Sequence, residues 1–215
     1  MNKRTPETGS VIFMILIAVM LFAALSYVVA QMLRSGDANA IGEQQASIFA
    51  DEILSTARQY RQGVQSLRIS NGCADTDISF EVAALTGYAH SPAASDECKL
   101  FHADGGGAAY NAPSLSYSDG NDWIFNGGND VSGIGTAAPD LVVILPNINL
   151  SVCNSINEKM GISDTGNDTT VDFSKFTGAY TSTQVINFAA GVAAGCLNYV
   201  SSGDNYFFYQ TLVAR

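Results

Sequence analysis

Four cysteines are the residues of this 215-residue chain that are best suited to a defined chemistry. They are Cys73, Cys98, Cys153 and Cys196. An even number of cysteines outside the cytoplasm predicts disulfides, and four cysteines allow three pairings. We favour Cys73–Cys98 together with Cys153–Cys196, because sequential pairing closes local loops. Each bridge is expected to stabilise the fold by about 2–4 kcal/mol.

Residues for catalysis or for a resident metal form no clear constellation. No serine lies in a GxSxG context, no glycine-rich run carries a phosphate-binding lysine, and no cysteine spacing matches a zinc site. The acidic run SDTGNDTTVD lacks the ordered alternation of an EF-hand loop, but it offers oxygen ligands that suit calcium. These ligands are Asp164, Asn167, Asp168 and Asp172. We therefore expect neither an enzyme nor a cofactor, and calcium is the one candidate ion.

The charge of the chain is divided between two segments. Residues 1–70 carry a net charge of +1, whereas residues 71–215 carry four basic and fifteen acidic side chains, a net charge of −11. So acidic a segment repels phosphate groups, which disfavours nucleic acid as a partner. The simplest interpretation is that the acidity keeps an exported head domain soluble.

An uncharged apolar run covers residues 10–30. As a helix it would be about 30 Å long, the thickness of a bilayer core, so it predicts a transmembrane helix over 10–33. Lys3 and Arg4 precede the run and predict a cytoplasmic leader over 1–9, with the rest of the chain exported. Three fates stay open for this segment: a signal peptide cut after Ala30, an uncleaved anchor, or cleavage after Gly9.

The helical period continues beyond the apolar run. Apolar residues such as Ile53, Ala57, Tyr60, Val64 and Leu67 recur at spacings of three and four, and proline is absent. The sequence therefore predicts an amphipathic continuation over 34–70, within one helix from Ser10 to Leu67 that bends at most near Gly36 to Gly42.

The leader MNKRTPETG, the segment SVIFMILIAVMLFAALSYVVAQ, the amphipathic helix and the cysteine-containing head together resemble a type IV pilin or pseudopilin. The resemblance implies cleavage by a prepilin peptidase between Gly9 and Ser10. It also implies that the apolar helix packs against the same helix of other subunits. The side chains expected in that packing are Ile12, Met14, Ile15, Val19, Phe22 and Leu25. Most family members carry Glu where this chain has Met14, a departure that is better tolerated in minor subunits.

Residues 71–215 are expected to form one head domain. Strands are predicted at DISFEV (77–82), NDWIFNG (121–127), DLVVILPNI, where Pro146 ends the strand, and 206–213, and LSVCNSINEKMGI predicts a helix. The aromatic run 206–209 is interpreted as core rather than as a sugar platform. The predicted fold class is α+β, with the long N-terminal helix packed on an antiparallel sheet.

Two functions remain open. The first is a structural, pilin-like subunit of a type IV pilus or a type II secretion-like pseudopilus, with a minor or initiating role. Its partners would be other pilin-like subunits, the assembly platform, the prepilin peptidase and the membrane. It would sit as a single-pass protein in the bacterial inner membrane, with the head periplasmic or in a filament. The alternative is a membrane-anchored periplasmic domain that binds a ligand or a protein.

Overall fold

The computed structural model describes most of the backbone. The described residues are 8–35, 38–181, 184–188, 191–201, 203 and 205–215. In the first two helices, side chains are described for residues 13–27 and from Gly42 onward. The chain divides into the units Met1–Gln44 and Gln45–Arg215.

The N-terminal segment forms two helices instead of one. Helix α1 covers Thr8–Ser35, 28 residues, and helix α2 covers Ala38–Ile69, 32 residues. The prediction of one long helix, on which the predicted fold class depended, is therefore wrong. Helix α1 ends at Ser35 and α2 begins at Ala38, and residues 36 and 37 lie outside the described residues.

The predicted membrane span needs a correction too. Across the residues that the structure describes, no helix combines the length and the apolar character that crossing a membrane requires. The predicted transmembrane helix over 10–33 and the inner-membrane localisation are therefore wrong.

One face of α2 forms a wall of the main core. Its buried residues recur at the helical period: Ala46, Ala50, Ile53, Leu54, Ala57, Tyr60, Val64 and Leu67. At Gly63 a Cβ atom would collide with the side chain of Leu100, so glycine lets the next segment approach the helix closely. The apolar residues that the sequence places at helical spacing from Ile53 to Leu67 all lie on this buried face.

A six-stranded sheet faces that helix. Its strands are β1 (Ile124–Val131), β2 (Asp140–Ile148), β3 (Asn167–Asp168), β4 (Gln184–Ile186), β5 (Ala194–Tyr199) and β6 (Asn205–Val213). The order is β3-β5-β6-β2-β1-β4. The four central strands pair antiparallel, but β4 joins β1 and β3 joins β5 in parallel. The predicted antiparallel sheet is therefore wrong, because each edge strand follows a long connection and joins the sheet parallel to its neighbour.

The sheet curls until its two edge segments meet. The amide of Asn187, just after β4, donates to Oδ2 of Asp168 in β3 over 2.8 Å, and the Thr170 hydroxyl donates to the carbonyl of Val185 over 3.1 Å. The curled sheet encloses an inner core that includes Val142, Ile144, Leu197, Phe207 and Tyr209. Side-chain hydrogen bonds, rather than a backbone ladder, thus bring the sheet close to a barrel.

Strand β2 is buried on both faces. Leu141, Val143 and Leu145 belong to the core shared with α2, whereas Val142 and Ile144 point into the curled sheet. This explains why the strand is a continuous apolar run. It does not end at Pro146, as predicted, but continues to Ile148 through an irregularity in its pairing with β6. Helix α3 follows at Leu150–Lys159, as predicted.

Candidate functional site

Helix α1 presents an exposed apolar surface. Every residue from 13 to 27 is exposed, on all sides of the helix. Five of the six predicted assembly residues lie in this stretch, and each is more than half exposed: Met14, Ile15, Val19, Phe22 and Leu25. The side chain of the sixth, Ile12, lies outside the described residues. A contiguous apolar surface of this kind is typical of a site of protein–protein association.

The predicted processing residues lie at the beginning of α1. Gly9 and Ser10 are helical in backbone, in the first turn, and the side chain of Ser10 lies outside the described residues. Their role as a peptidase site stays a prediction.

Both predicted disulfides are present, with the pairing that the sequence favoured. Cys73–Cys98 joins the chain just after α2 to a short 3₁₀ helix, Asp96–Cys98, with its Cα atoms 5.8 Å apart. Cys153–Cys196 ties α3 to β5 over 5.4 Å. Asn157 reinforces the second link, because its amide accepts from the N–H of Cys196 (2.8 Å) and donates to the carbonyl of the same residue (2.9 Å).

The calcium candidates are largely occupied by hydrogen bonds within the protein. Asp168 is buried and accepts from the amides of Thr170 and Asn187 over 2.8 Å. Asp172 accepts from Ser174 and from the amide group of buried Asn126. Asp164 and Asn167 are exposed. Among the described residues, no group of three or more His, Cys, Asp or Glu side chains is placed to hold a metal ion.

A cleft of about 430 Å³ lies at the end of the sheet where β1 and β6 begin and β2 and β5 end. We call it the aromatic cleft. Its apolar wall includes Trp123, Phe173, Tyr199, Tyr206 and Phe207, and its polar rim includes Asn121, Asp122, Asn147 and Lys175. All of these residues belong to the unit Gln45–Arg215.

A β-bulge shapes one side of the aromatic cleft. Leu145 pairs with Phe208 and Ile148 with Tyr206, so Pro146 and Asn147 together face the single residue Phe207. Asn147 has a φ of 54°, a left-handed conformation that is uncommon for a residue other than glycine. Its side-chain amide donates to Oδ2 of Asp119 over 2.6 Å, which holds this conformation in place. Backbone strain of this kind clusters at functional sites.

The aromatic rings are held edge to face. The ring of Phe173 lies 5.4 Å from that of Tyr199 and 5.9 Å from that of Phe207, nearly perpendicular to both. Trp123 is fixed at the base, because its indole N–H donates to the carbonyl of Asn111 over 3.0 Å. Phe173, Tyr199 and Tyr206 remain half-exposed, so their rings form a preformed surface.

The two charges at the rim are balanced and positioned. Asp122 accepts from the hydroxyl of Tyr110 over 2.8 Å, and burial together with this carboxylate raises the pKa of Tyr110. The ammonium of Lys175 donates to the carbonyl of Thr86 over 2.7 Å and lies 5.6 Å from the centre of the Tyr88 ring. Desolvation raises the pKa of Tyr88 to about 12.

Sequence reasoning missed the aromatic cleft. The interpretation of 206–209 as core is right for Phe207, Phe208 and Tyr209, which are buried, but Tyr206 is half-exposed and lines the cleft. One signal of the bulge was present in the sequence, because Pro146 and the polar residue Asn147 interrupt an otherwise apolar run.

A scan against protein-family models and searches of curated proteins and of solved structures found no match.

Proposed function

We propose that the chain is a structural, pilin-like subunit of a type IV pilus or a type II secretion-like pseudopilus, rather than an enzyme. The observation that carries the proposal is the exposed apolar surface of α1, residues 13–27. A helix that is apolar on all sides needs partners on all sides, and a bundle of similar helices provides them. The chemistry of such a protein is polymerisation, not turnover.

Packing of this surface would supply a large driving force. Burying a side chain such as Phe22 or Leu25 contributes about 1.5–3 kcal/mol relative to leaving it in water. Both are more than 60% exposed, at 74% and 63%. A few such side chains on each helix are enough to offset the loss of freedom on association.

Met14 favours a minor or initiating role. A carboxylate at this position would need a cation from a neighbouring subunit, and such a pair fixes the register between subunits. Met14 is uncharged and exposed, so it contributes apolar area but no charge-based register. We therefore expect this chain at the end of a filament rather than throughout it, with other pilin-like subunits and an assembly platform as partners.

Substitution in α1 tests the proposal directly. Phe22→Asp places a charge in the proposed bundle and is expected to abolish co-purification with pilin-like subunits that are co-expressed with their assembly motor. Gln65→Asp, on the exposed face of α2, is the control and should leave co-purification unchanged. Equal recovery of both variants with the partner subunits would contradict the proposal.

The mature N-terminus provides a second test. Mass spectrometry of the native protein should find Ser10 as its first residue, because a prepilin peptidase cuts after Gly9. Met1 or Gln31 at the N-terminus would instead contradict the pilin-like route.

The aromatic cleft favours a second candidate function, a domain that binds a ligand. It is a concave site with half-exposed rings and a few polar groups, the usual composition of a small-molecule site. The two functions are compatible, because the cleft and the α1 surface use different residues.

A further inference from the structure

The charges around the aromatic cleft disfavour an ionic ligand. One carboxylate, Asp122, and one ammonium, Lys175, line it, so neither sign prevails locally. The surrounding segment 71–215 has a net charge of −11, which repels anions. A cation would meet the Lys175 ammonium, which is held in place by the Thr86 carbonyl. The electrostatics are best suited to a neutral ligand.

The lining also disfavours a purely apolar ligand. Amide side chains from Asn121, Asn147 and Asn205 lie in the same cleft as the aromatic rings. Amides offer both donors and acceptors, and burying them against an apolar molecule would cost hydrogen bonds to water. The ligand should therefore carry hydroxyl or amide groups on its edges and C–H groups on its faces.

We propose that the aromatic cleft binds a neutral saccharide. A sugar ring has a C–H face that can pack on the half-exposed rings of Tyr199, Tyr206 or Phe173, and its hydroxyls can bond the amides and the Asp122 carboxylate. The volume of about 430 Å³ accommodates one or two sugar units. The bulge at Pro146–Asn147 and the edge-to-face rings preform the site, so little ordering is needed on binding.

The protein carries its own reporter for this site. Trp123 is the single tryptophan of the chain and lies at the base of the cleft. The full-length chain would be titrated with maltose, cellobiose, lactose, mannobiose and N,N′-diacetylchitobiose. At least one should change the Trp123 fluorescence saturably, in the millimolar range or below. Saturation-transfer NMR on that sugar should label its C–H face most strongly.

Two variants connect the signal with the cleft. Tyr199→Ala removes a ring from the wall and should weaken binding about 3- to 10-fold. Asn121→Ala changes an exposed rim side chain, so it should weaken binding while leaving the thermal unfolding midpoint unchanged. Asn111→Ala is the matched control, because Asn111 is also exposed and contacts Trp123 and Tyr60 through its backbone. It should bind like the wild type.

Three outcomes would overturn the proposal. In the first, none of the five sugars changes the fluorescence or receives saturation. In the second, the Tyr199→Ala and Asn121→Ala variants both bind the sugar as strongly as the wild type does. In the third, tetramethylammonium chloride or inorganic phosphate changes the fluorescence saturably while the sugars do not, which would assign an ionic ligand. The Phe22→Asp test of assembly is unaffected by all three, so the two proposals fail separately.

Discussion

The two halves of the head are stabilised in different ways. In the irregular segment, residues 70–123, regular structure amounts to one 3₁₀ turn and isolated bridges, whereas the sheet segment, residues 124–213, contains all six strands that the structure describes. Backbone ladders satisfy the peptide groups of the sheet segment. The irregular segment instead combines scattered backbone bonds, such as those from the amide of Leu100 to the carbonyl of Ser79 and from the amide of Ala108 to the carbonyl of Leu100, with side-chain hydrogen bonds.

Two buried tyrosine hydroxyls supply side-chain bonds of this kind. The hydroxyl of Tyr60 on α2 accepts from the amide of Asn111 over 3.1 Å. The hydroxyl of Tyr88 accepts from the amide of Phe125 over 3.0 Å and donates to the carbonyl of Trp123 over 3.3 Å. A segment with little regular structure can thus be as well packed as a sheet, but its order depends on a few individual side chains.

The largest effect is expected at the ring where the two halves meet. Phe125 is the second residue of β1, yet its ring stacks on Phe80 at 4.1 Å and contacts the rings of Tyr60, Tyr88 and Phe101. Phe125→Ala should lower the free energy of unfolding by about 3–5 kcal/mol, measured by chemical denaturation. Leu115→Ala, at an exposed site, is the control and should change it by less than about 0.5 kcal/mol. A loss below about 1 kcal/mol in Phe125→Ala would show that the halves do not depend on this ring.

Removing one disulfide at a time tests whether the irregular segment and the sheet segment depend on their bridges to different degrees. The Cys73→Ala/Cys98→Ala double variant lacks a bridge between cysteines that are 25 residues apart in sequence. Its free energy of unfolding should fall by about 3 kcal/mol. Limited proteolysis should then cut within 74–97, where the chain forms isolated bridges rather than a strand ladder.

The matched double variant is Cys153→Ala/Cys196→Ala, which lacks the bridge between cysteines 43 residues apart in sequence. Its free energy of unfolding should fall by a similar amount. Here β5 keeps its pairing with β6, so new cleavage within 74–97 is not expected. The same cleavage pattern in both double variants would contradict the distinction between the halves.

A smaller difference is expected between two buried tyrosines. Tyr88→Phe loses two hydrogen bonds and leaves the amide of Phe125 without this partner. Its free energy of unfolding should therefore fall by about 1–2 kcal/mol. Tyr209→Phe in β6 loses one bond, from its hydroxyl to the carbonyl of Val192, and should cost less. Urea denaturation of both variants measures the difference. If Tyr209→Phe proved the more costly, side-chain anchoring would not be what distinguishes the irregular segment.

The smallest effect is a dependence on alkaline pH. Desolvation raises the pKa of both Tyr60 and Tyr88 from 10.0 to about 12. Between these values the folded state retains protons that the unfolded state has lost, so stability is intact below pH 10 and falls as the pH rises to 12. The loss should be roughly 1 kcal/mol per tyrosine midway through that window. In the Tyr60→Phe/Tyr88→Phe double variant the free energy of unfolding should fall less steeply between pH 10 and pH 12. If it fell as steeply as in the wild type, these two hydroxyls would not be the cause of the alkaline loss of stability.

Sequence patterns predicted the elements that have a strong period of their own. Helix α3, strand β6 and the core of β2 followed from runs of buried residues, and the disulfides followed from the even cysteine count. The pattern at DISFEV was misleading. Ile78 and Phe80 are buried, but so is Ser79 between them, and the segment forms only isolated bridges, such as that from Ser79 to Lys99. An alternating apolar pattern can therefore mark a buried extended segment that has no neighbouring strand ladder.

The remaining features depend on contacts that no local pattern encodes. Strands β3 and β4 have two and three residues, too few to show a period, and their parallel pairing made the sheet mixed. The aromatic cleft combines side chains from separate strands and loops, and its bulge depends on the register between β2 and β6. The assembly and processing residues of α1 stay predictions.

The short edges of the sheet have a consequence for aggregation. A long, uncovered edge strand is a template on which a second chain can add its own strand, and this is a common route to domain swapping and amyloid. As the structure describes it, the sheet ends in edge strands of two and three residues, with side chains of one edge segment bonded to the other. Copies that were crowded together by their N-terminal helices would therefore find little exposed backbone to pair with, and their heads should remain separately folded.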